Sequence, residues 1–258
     1  MTGQLSKADI KRIASLDDAK GRRRSGLFVA EGSKCVLDLA RTFTMHTLIA
    51  EPAWLEGHPE VRAREYVAAA AATMNAITRL TTRPPVIALF DLPEPTEAPS
   101  AELVAREAVV VLDRIQDPGN LGTILRTCDW MGIRRVVASP DTVDAFNPKV
   151  VQATMGALAQ VEVAYTELPA WLDGLADGTP VYGTFLGGED IYDTDFAAGG
   201  VIVMGNEGRG ISPEVESRIS RRITIPAAPG ACAESLNVAT ATAMVLSLRE
   251  KSLRNKKN

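Results

Sequence analysis

The sequence predicts an α/β fold with two blocks, and three observations carry the prediction. Runs such as "AVVVLDRI" (108–115) and "GVIVMG" (200–205) are short and apolar throughout, as strands covered on both faces of a parallel sheet are. Segments with helical spacing alternate with them, which is the pattern of helices packed on a mostly parallel sheet. "DLPEPTEAPSAE" (91–102) carries Pro93, Pro95 and Pro99 among acidic residues. Such a segment is stiff and extended, so it reads as a linker. We therefore expect a small domain over 1–92, a linker over 93–105 and a larger domain over 106–258.

In the first domain, "LSKADIKRIASL" places Ile10, Ile13 and Leu16 at helical spacing. "GLFVAEG" is a short strand ending in a turn. "SKCVLDLART" opens with Ser33 in a cap position and puts Val36, Leu37, Leu39 and Ala40 on one apolar face. "MHTLIAE" and "VIALFDLP" read as strands, and the alanine-rich "AAAAATMNAITRL" (68–80) is a strong helix former. In the second domain, strands are predicted at "AVVVLDRI", "RRVVASP", "QVEVAYT", "PVYGTFL", "GVIVMG" and "RRITIP". Helices are predicted at "LGTILRTCDWMG", "NPKVVQATMGAL", "ELPAWLDGL", "SPEVESRI" and "SLNVATATAMVLSLREK".

Composition narrows the class. Of 258 residues, 46% are hydrophobic and 23% charged, as in an ordinary globular protein. No apolar run is long enough to span a membrane, and "MTGQLSKADIKR" lacks the apolar core of a signal peptide. A cytoplasmic protein with no membrane association is the expectation. Cys35, Cys128 and Cys232 form no CxxC pair and share no ligand spacing with His46 and His58, so no metal site is expected. The net charge is −4, yet residues 1–41 hold nine Lys or Arg against five Asp or Glu, including "KGRRR" (20–24). That run is either a solvated face or a grip on an anionic partner.

Three strand-ending turns in the second domain can carry chemistry, because ligands of open parallel sheets bind beyond the carboxyl ends of the strands. "QDPGNLGTILRT" (116–127) holds Asn120 and Arg126. Asn120 could simply cap a helix and Arg126 could sit on a solvated face. "VIVMGNEGRGIS" (201–212) places Glu207 between Gly205 and Gly208, with Gly210 after them. It is a ligand-hugging turn or merely a flexible loop. "IPAAPGACAESLNVATATAM" (225–244) ends a strand and opens a helix near Ser235, which could be no more than its cap. Asn237 fits that bland account less well, since asparagine is mediocre inside a helix. No GxGxxG or P-loop spacing is present, which counts against a nucleotide-phosphate enzyme.

Taken together and in this order, "QDPGNLGTILRTCDWMGI", "VMGNEGRGIS" and "IP…ESLNVATATA" resemble motifs one, two and three of the SpoU/TrmH family of the SPOUT superfamily of methyltransferases. "NPKVVQATMGAL" and "YGTFLGGEDIY" are similar to the intervening family sequence. "FVAEG" and "ITRLTTRPPVIALFDLP" resemble the N-terminal substrate-binding domain, of L30e-like fold. The likeness covers nearly the whole chain. It implies transfer of a methyl group from S-adenosylmethionine to a ribose 2′-hydroxyl of RNA; by analogy the extra N-terminal domain favours ribosomal RNA, with transfer RNA as the alternative. It also implies a homodimer with the active site near its interface, and a deep trefoil knot in the C-terminal domain.

Carried onto this chain, the family's catalytic positions are Asn120, Arg126, Glu207, Ser235 and Asn237. Its cofactor loops become Thr184, Phe185 and Leu186; Met204, Gly205, Asn206 and Gly210; and Ile225, Ala227 and Leu236. Gly119 stands where the family often has histidine, and "AAPGACAE" is about two residues longer than usual. The resemblance implies that Arg126 deprotonates the hydroxyl with the help of a phosphate. A guanidinium titrates at about 12 or above, so a phosphate clamp and alkoxide stabiliser is the chemically easier role. Arg22, Arg23 and Arg24 are the expected RNA-phosphate contacts. The competing reading from another class is a non-catalytic RNA-binding or assembly factor with the same fold.

Overall fold

The structure is a computed structural model, and it describes residues 5–256. The chain forms two compact units, one of residues 1–94 with 144–159, the other of residues 95–143 with 160–258.

The first unit begins with α1 (Lys7–Ser15), held by a capping box in which Ser6 and Asp9 exchange side-chain and backbone hydrogen bonds. Those bonds keep the Asp9 carboxyl below its ordinary pKa. α2 (Ala19–Ser25) starts at Asp18, whose carboxylate accepts from Gly21 N, and stops at Gly26, whose φ of 65° is open to glycine. Beyond them lie β1 (Leu27–Glu31), α3 (Ser33–Leu39), β2 (Met45–Ala50), α4 (Pro52–Gly57), β3 (Glu65–Ala68), α5 (Ala71–Ile77) and β4 (Val86–Asp91). The four strands order as β1-β4-β2-β3, with β4 antiparallel to both neighbours and β3 parallel to β2. Ile13, Leu16, Val29, Ile49, Met74 and Leu89 fill one face of this sheet.

Three sequence expectations change here. The N-cap of α3 is Gly32, not Ser33, because the Ser33 hydroxyl accepts from the Trp54 indole at 2.9 Å. The helix predicted over 68–80 shrinks to α5. Ala68 pairs with Ala50 as the end of β3, so a place in the sheet overrides alanine's helix preference. Arg22 is buried at 2% exposure. Its guanidinium donates to the Leu16 and Asp17 carbonyls and pairs with Asp144 at 2.5 Å. It is an internal strut and cannot grip RNA; Arg23 and Arg24 remain exposed.

The second unit opens with α6 (Ala101–Val104), started by Ser100 inside the segment read as linker. β5 (Ala108–Asp113), α7 (Pro118–Trp130) and β6 (Arg135–Ala138) follow. The chain then contributes α8 (Pro148–Thr154) and a 3-10 turn (Ala157–Ala159) to the first unit. There Phe146 joins a ring cluster with Phe28 and Phe43. β7 (Glu162–Tyr165), α9 (Leu168–Asp173), β8 (Val181–Asp190), β9 (Gly200–Gly205), α10 (Pro213–Glu216), β10 (Arg221–Thr224) and α11 (Val238–Asn255) complete the second unit.

Its six strands order as β10-β8-β9-β5-β6-β7 and every pairing is parallel. The all-apolar runs that predicted the sheet are its central strands: β5 is buried along its whole length and β9 through Met204. Val109, Val111, Val201, Val203, Ile211 and Val215 form the core beneath the loops at the carboxyl edge. Among the described residues no helix is long and apolar enough to cross a membrane.

Candidate active site

The three turns singled out in the sequence follow β5, β9 and β10, so they share the carboxyl edge of one parallel sheet. A fourth segment joins them. The register of β10 against β8 jumps from Arg222↔Gly183 to Ile223↔Glu189, so Thr184–Gly188 leaves the ladder between them.

The first turn runs from β5 into α7. Asp117, not Asn120, is the N-cap: its carboxylate accepts from Asn120 N at 2.8 Å, and Pro118 occupies the first helical turn. That frees the Asn120 side chain. Leu121, Ile124, Leu125 and Cys128 face inward, while Thr123, Arg126 and Trp130 are exposed. Arg126 lies six residues after Asn120, about 9 Å along the axis. Helical Cα–Cβ bonds tilt toward the N-terminus, so the stem of Arg126 sets out toward the Asn120 end. Among the described residues Arg126 has no recorded ion pair or hydrogen bond. Cys128 is no nucleophile here, because complete burial pushes its thiol up to about 12.

The second turn is tightly built. Asn206 N donates to Gly210 O at 3.0 Å and Gly210 N returns a bond to Asn206 O at 2.9 Å. The Asn206 carboxamide is spent on the loop: Oδ1 accepts from Gly208 N and Arg209 N, and Nδ2 donates to Arg114 O. Its expected contact with a cofactor therefore falls to its backbone. A Cβ on Gly205 would lie 2.4 Å from backbone atoms of Gly210 and Ile211, so only glycine lets the loop fold back there. Arg114 itself sits at φ 61°, unusual for a non-glycine residue. Its N–H donates to the Ser139 hydroxyl, and its guanidinium meets Asp113. Buried Asp113 also accepts from Ser212 N. The sequence reading missed this support of Asp117, Asp113, Arg114 and Ser139; the "DPGN" turn chemistry at Asp117 was the one visible signal.

The third turn ends in α11, whose N-cap is Asn237 rather than Ser235. Asn237 Oδ1 accepts from Ala239 N and Thr240 N. Its Nδ2 donates to Asn120 Oδ1 at 2.9 Å, and Asn120 Nδ2 donates to Glu207 Oε1 at 2.7 Å. One chain of side-chain bonds thus ties the three turns together across 87 and 117 residues of sequence. Its direction is forced at both ends. A carboxylate only accepts, so Asn120 must turn its NH₂ to Glu207, and the capping oxygen of Asn237 must face the backbone. Ser235 is exposed and outside this chain of bonds.

The remaining predicted positions divide by side chain. Met204 is 1% exposed and points into the core, so it offers only backbone. Phe185 lies under the Arg222 guanidinium, 3.5 Å from its ring centre, and packs on the core. The Thr184 hydroxyl donates to Val203 O at 3.2 Å. Leu186 and Leu236, in contrast, are 83% and 48% exposed. Two large apolar side chains are thus left open to solvent on segments that leave neighbouring strands. Ala227 is exposed and Ile225 half-buried on the same loop.

Residues 107–247, more than half of the chain, match the SpoU rRNA Methylase family. The chain belongs to the SpoU rRNA methylase family. Residues 7–88 match the MRM3-like substrate binding domain. In sequence the chain is similar to the 23S rRNA (guanosine(2553)-2′-O)-methyltransferase RlmP of Bacillus subtilis, at 29% identity over 92% of this chain and 94% of that one. In structure it is similar to a TrmH-family protein from Porphyromonas gingivalis, with a TM-score of 0.86 and 39% identity over 96% and 99% of the two chains. An AdoMet-bound rRNA methyltransferase from Sinorhizobium meliloti gives a TM-score of 0.83 and 29% identity over 98% and 97%. The SpoU match spans all three turns of the second unit, and the substrate-binding match lies in the first.

Proposed function

We propose that this SpoU-family chain is an RNA 2′-O-methyltransferase that uses S-adenosylmethionine and acts on ribosomal RNA. The observation that carries the reading is the bonded series Glu207–Asn120–Asn237, which joins the three family motifs at one sheet edge beside an unpaired Arg126.

The residues present fit the cofactor. Leu186 and Leu236 offer apolar surface for a flat base, and the glycines at 205, 208 and 210 leave backbone of the turn open to close approach by a ligand. These loops, with Ile225 and Ala227, would hold S-adenosylmethionine, which when bound supplies an electrophilic methyl on a cationic sulfur. No metal is needed for that chemistry.

The chain's own residues then have to position a ribose oxygen and manage its proton. Orientation of this kind contributes roughly 7–11 kcal/mol in well-aligned cases. Arg126 clamps the phosphate next to the target ribose and stabilises the oxygen as its proton passes to that phosphate or to water. Its planar fork suits a phosphate, and no carboxylate competes for it. Asn120 and Asn237 are positioning residues, locked in one orientation by Glu207 and by the cap of α11. Ser235, exposed beside Asn237, supplies a hydroxyl to the ribose or phosphate. Arg23 and Arg24 add exposed phosphate contacts from the substrate-binding domain.

A homodimer and a knot belong to the same reading. Trp130, 86% exposed on the Arg126 side of α7, supports a partner surface near the site. The return of the chain after β9 to place β10 outside β8 supports the knot. A cytoplasmic location belongs to the same reading. Sedimentation at micromolar concentration should give twice the chain mass, and Trp130→Ala should reduce it.

The test of the function is Arg126→Ala. It should leave S-adenosylmethionine affinity within twofold of the parent by calorimetry and abolish methyl transfer to ribosomal RNA. Retained transfer refutes the role of Arg126. Maps of 2′-O-methylation in ribosomal RNA from cells with and without the gene identify the nucleotide, and identical maps refute the ribosomal target.

A further inference from the structure

With Arg22 buried, only Arg23 and Arg24 of that run face solvent, and one groove of the first unit supplies a further basic surface. An open groove of about 460 Å³ lies between the turn that follows α3 (Ala40–Thr44) and the loop that leads into β3 (Arg62–Arg64). Arg41, Arg62 and Arg64 line it, and all three are exposed. Its floor is apolar: Phe43, fixed edge-on against Phe28 at 5.2 Å, and Met45 at 4% exposure.

The two sides of the groove are joined by backbone and do not drift independently. Arg64 N donates to Met45 O, and Phe43 N donates to Leu39 O. Thr42 is tied by its hydroxyl to Ala159 O at 3.0 Å. The arginines differ in how far they are neutralised. Arg64 is paired with Asp91 at 2.7 Å. Arg41 reaches Asp38 only at 3.9 Å, and Asp38 is already held by Lys34 at 2.7 Å. Among the described residues Arg62 has no carboxylate partner; it donates to the Pro59 carbonyl. Three arginines and no acidic residue line the groove, and the carboxylates that reach them are Asp38, shared with Lys34, and Asp91, which leaves a net positive rim on a chain whose total charge is −4.

We infer that this groove is a binding site for the phosphodiester backbone of the RNA substrate, with Arg41 and Arg62 as its phosphate ligands. Arginine presents a planar donor fork to a phosphate, and an apolar floor accepts the edge of a ribose or base between two phosphates. The site rests on the ribosomal-RNA reading above. It gives the substrate-binding unit a contact that fixes register on the RNA and leaves the chemistry to the second unit.

The experiment uses the full chain, with Arg41→Glu and Arg62→Glu combined. Neither residue belongs to the site of methyl transfer. Binding of protein-free 23S ribosomal RNA is followed by filter retention from 50 to 300 mM salt, and S-adenosylmethionine binding by calorimetry reports that the variant is folded. The expected result is a loss of RNA affinity of at least tenfold at 0.1 M salt. The slope of log affinity against log salt should fall by about one to two, one counterion step per lost phosphate contact. If the reversal disturbs folding, Arg41→Ala with Arg62→Ala should still lower the slope. Unchanged affinity and slope in either folded variant overturn the groove. The two readings fail separately. A parent chain that binds RNA with a steep salt slope but never methylates it overturns the function and keeps the groove. A variant that binds and methylates like the parent overturns the groove and keeps the function.

Discussion

Asn237 does two jobs, and two substitutions separate them. Its oxygen caps α11, an 18-residue helix, by accepting from Ala239 N and Thr240 N; its nitrogen donates to Asn120. Asn237→Ala removes both. Loss of the cap costs about 1 kcal/mol. The exposed amide–amide bond adds roughly 0.5 kcal/mol, at the low end of the range because water replaces it. For a chain of this size about 1 kcal/mol lowers Tm by roughly 2–4 °C. Asn237→Asp keeps the cap, since aspartate caps as well as asparagine and its charge suits a helix N-terminus. Its Tm should stay within about 2 °C of the parent, since only the exposed amide–amide bond is lost.

The aspartate variant nevertheless breaks the chain of bonds. Asn120 would then stand between two carboxylates, Glu207 and residue 237, with one NH₂ to give. Whichever way its amide turns, an oxygen faces an oxygen. A misoriented Asn120 forfeits its bond to the charged phosphate or developing oxyanion of the substrate, and a bond to a charged group is worth about 1.5–3 kcal/mol. If the Asn120 orientation holds the ribose and Arg126, kcat/KM falls by roughly tenfold to a hundredfold. The assay is methyl transfer from labelled S-adenosylmethionine to ribosomal RNA, run beside thermal melts of the same preparations. An Asn237→Asp protein that melts like the parent and methylates within twofold of it refutes the positioning role. Equal losses of Tm in both variants refute the capping analysis.

Three further outcomes follow from the geometry. Gly205→Ala puts a methyl 2.4 Å from the Gly210 and Ile211 backbone, so the turn must open, and S-adenosylmethionine affinity should fall more than tenfold by calorimetry. Arg22→Leu strips the Leu16 and Asp17 carbonyls of their donor and leaves Asp144 unpaired. It should cost about 2–3 kcal/mol in urea unfolding while leaving the salt slope of RNA binding unchanged. Burial pushes Cys35 and Cys128 up to about 12, so at pH 8 a thiol reagent should modify Cys232 alone in the native chain and all three after denaturation. For these two thiols the folded state keeps its protons longer than the unfolded one. Their linked stability is therefore whole below pH 9.0 and declines as pH rises from there toward 12.

The sheet of the second unit was legible because its central strands, β5 and β9, are apolar on both faces, a pattern that neither loops nor surface helices produce. β3 was not legible: its Ala68 belongs to an alanine run whose local preference is helical, and only the partnership with Ala50 decides otherwise. The return of 144–159 to the first unit was equally hidden. Nothing in "FNPKVV" says that Phe146 will pack on Phe28, 118 positions earlier in the chain. Of the site, the residue types were readable from three motifs, but their assignments moved. Capping passed from Asn120 to Asp117 and from Ser235 to Asn237, since competition among neighbouring Asx and Ser side chains is settled by backbone geometry. Arg22 looked like its two neighbours and is buried because Asp144 arrives from far along the chain to meet it.

Those reassignments explain why asparagine stands at two positions of the site. α7 and α11 pack on each other and begin with Asp117 and Asn237 as caps, so the N-terminal ends of two helices open on the same bonded cluster. Helix N-termini attract anions, and Arg126 adds to that attraction. A site left at that would bind phosphate without orienting it. Glu207 supplies a fixed acceptor, and because it can only accept, it sets which way the Asn120 amide turns; Asn237, held by its own cap, permits no other answer. Aspartate at position 120 could not donate to Glu207, and serine would not span from Glu207 to Asn237. An amide with one donor end and one acceptor end is the smallest group that passes a direction from one turn to the next, and α7 carries Arg126 on the same helix that begins with it.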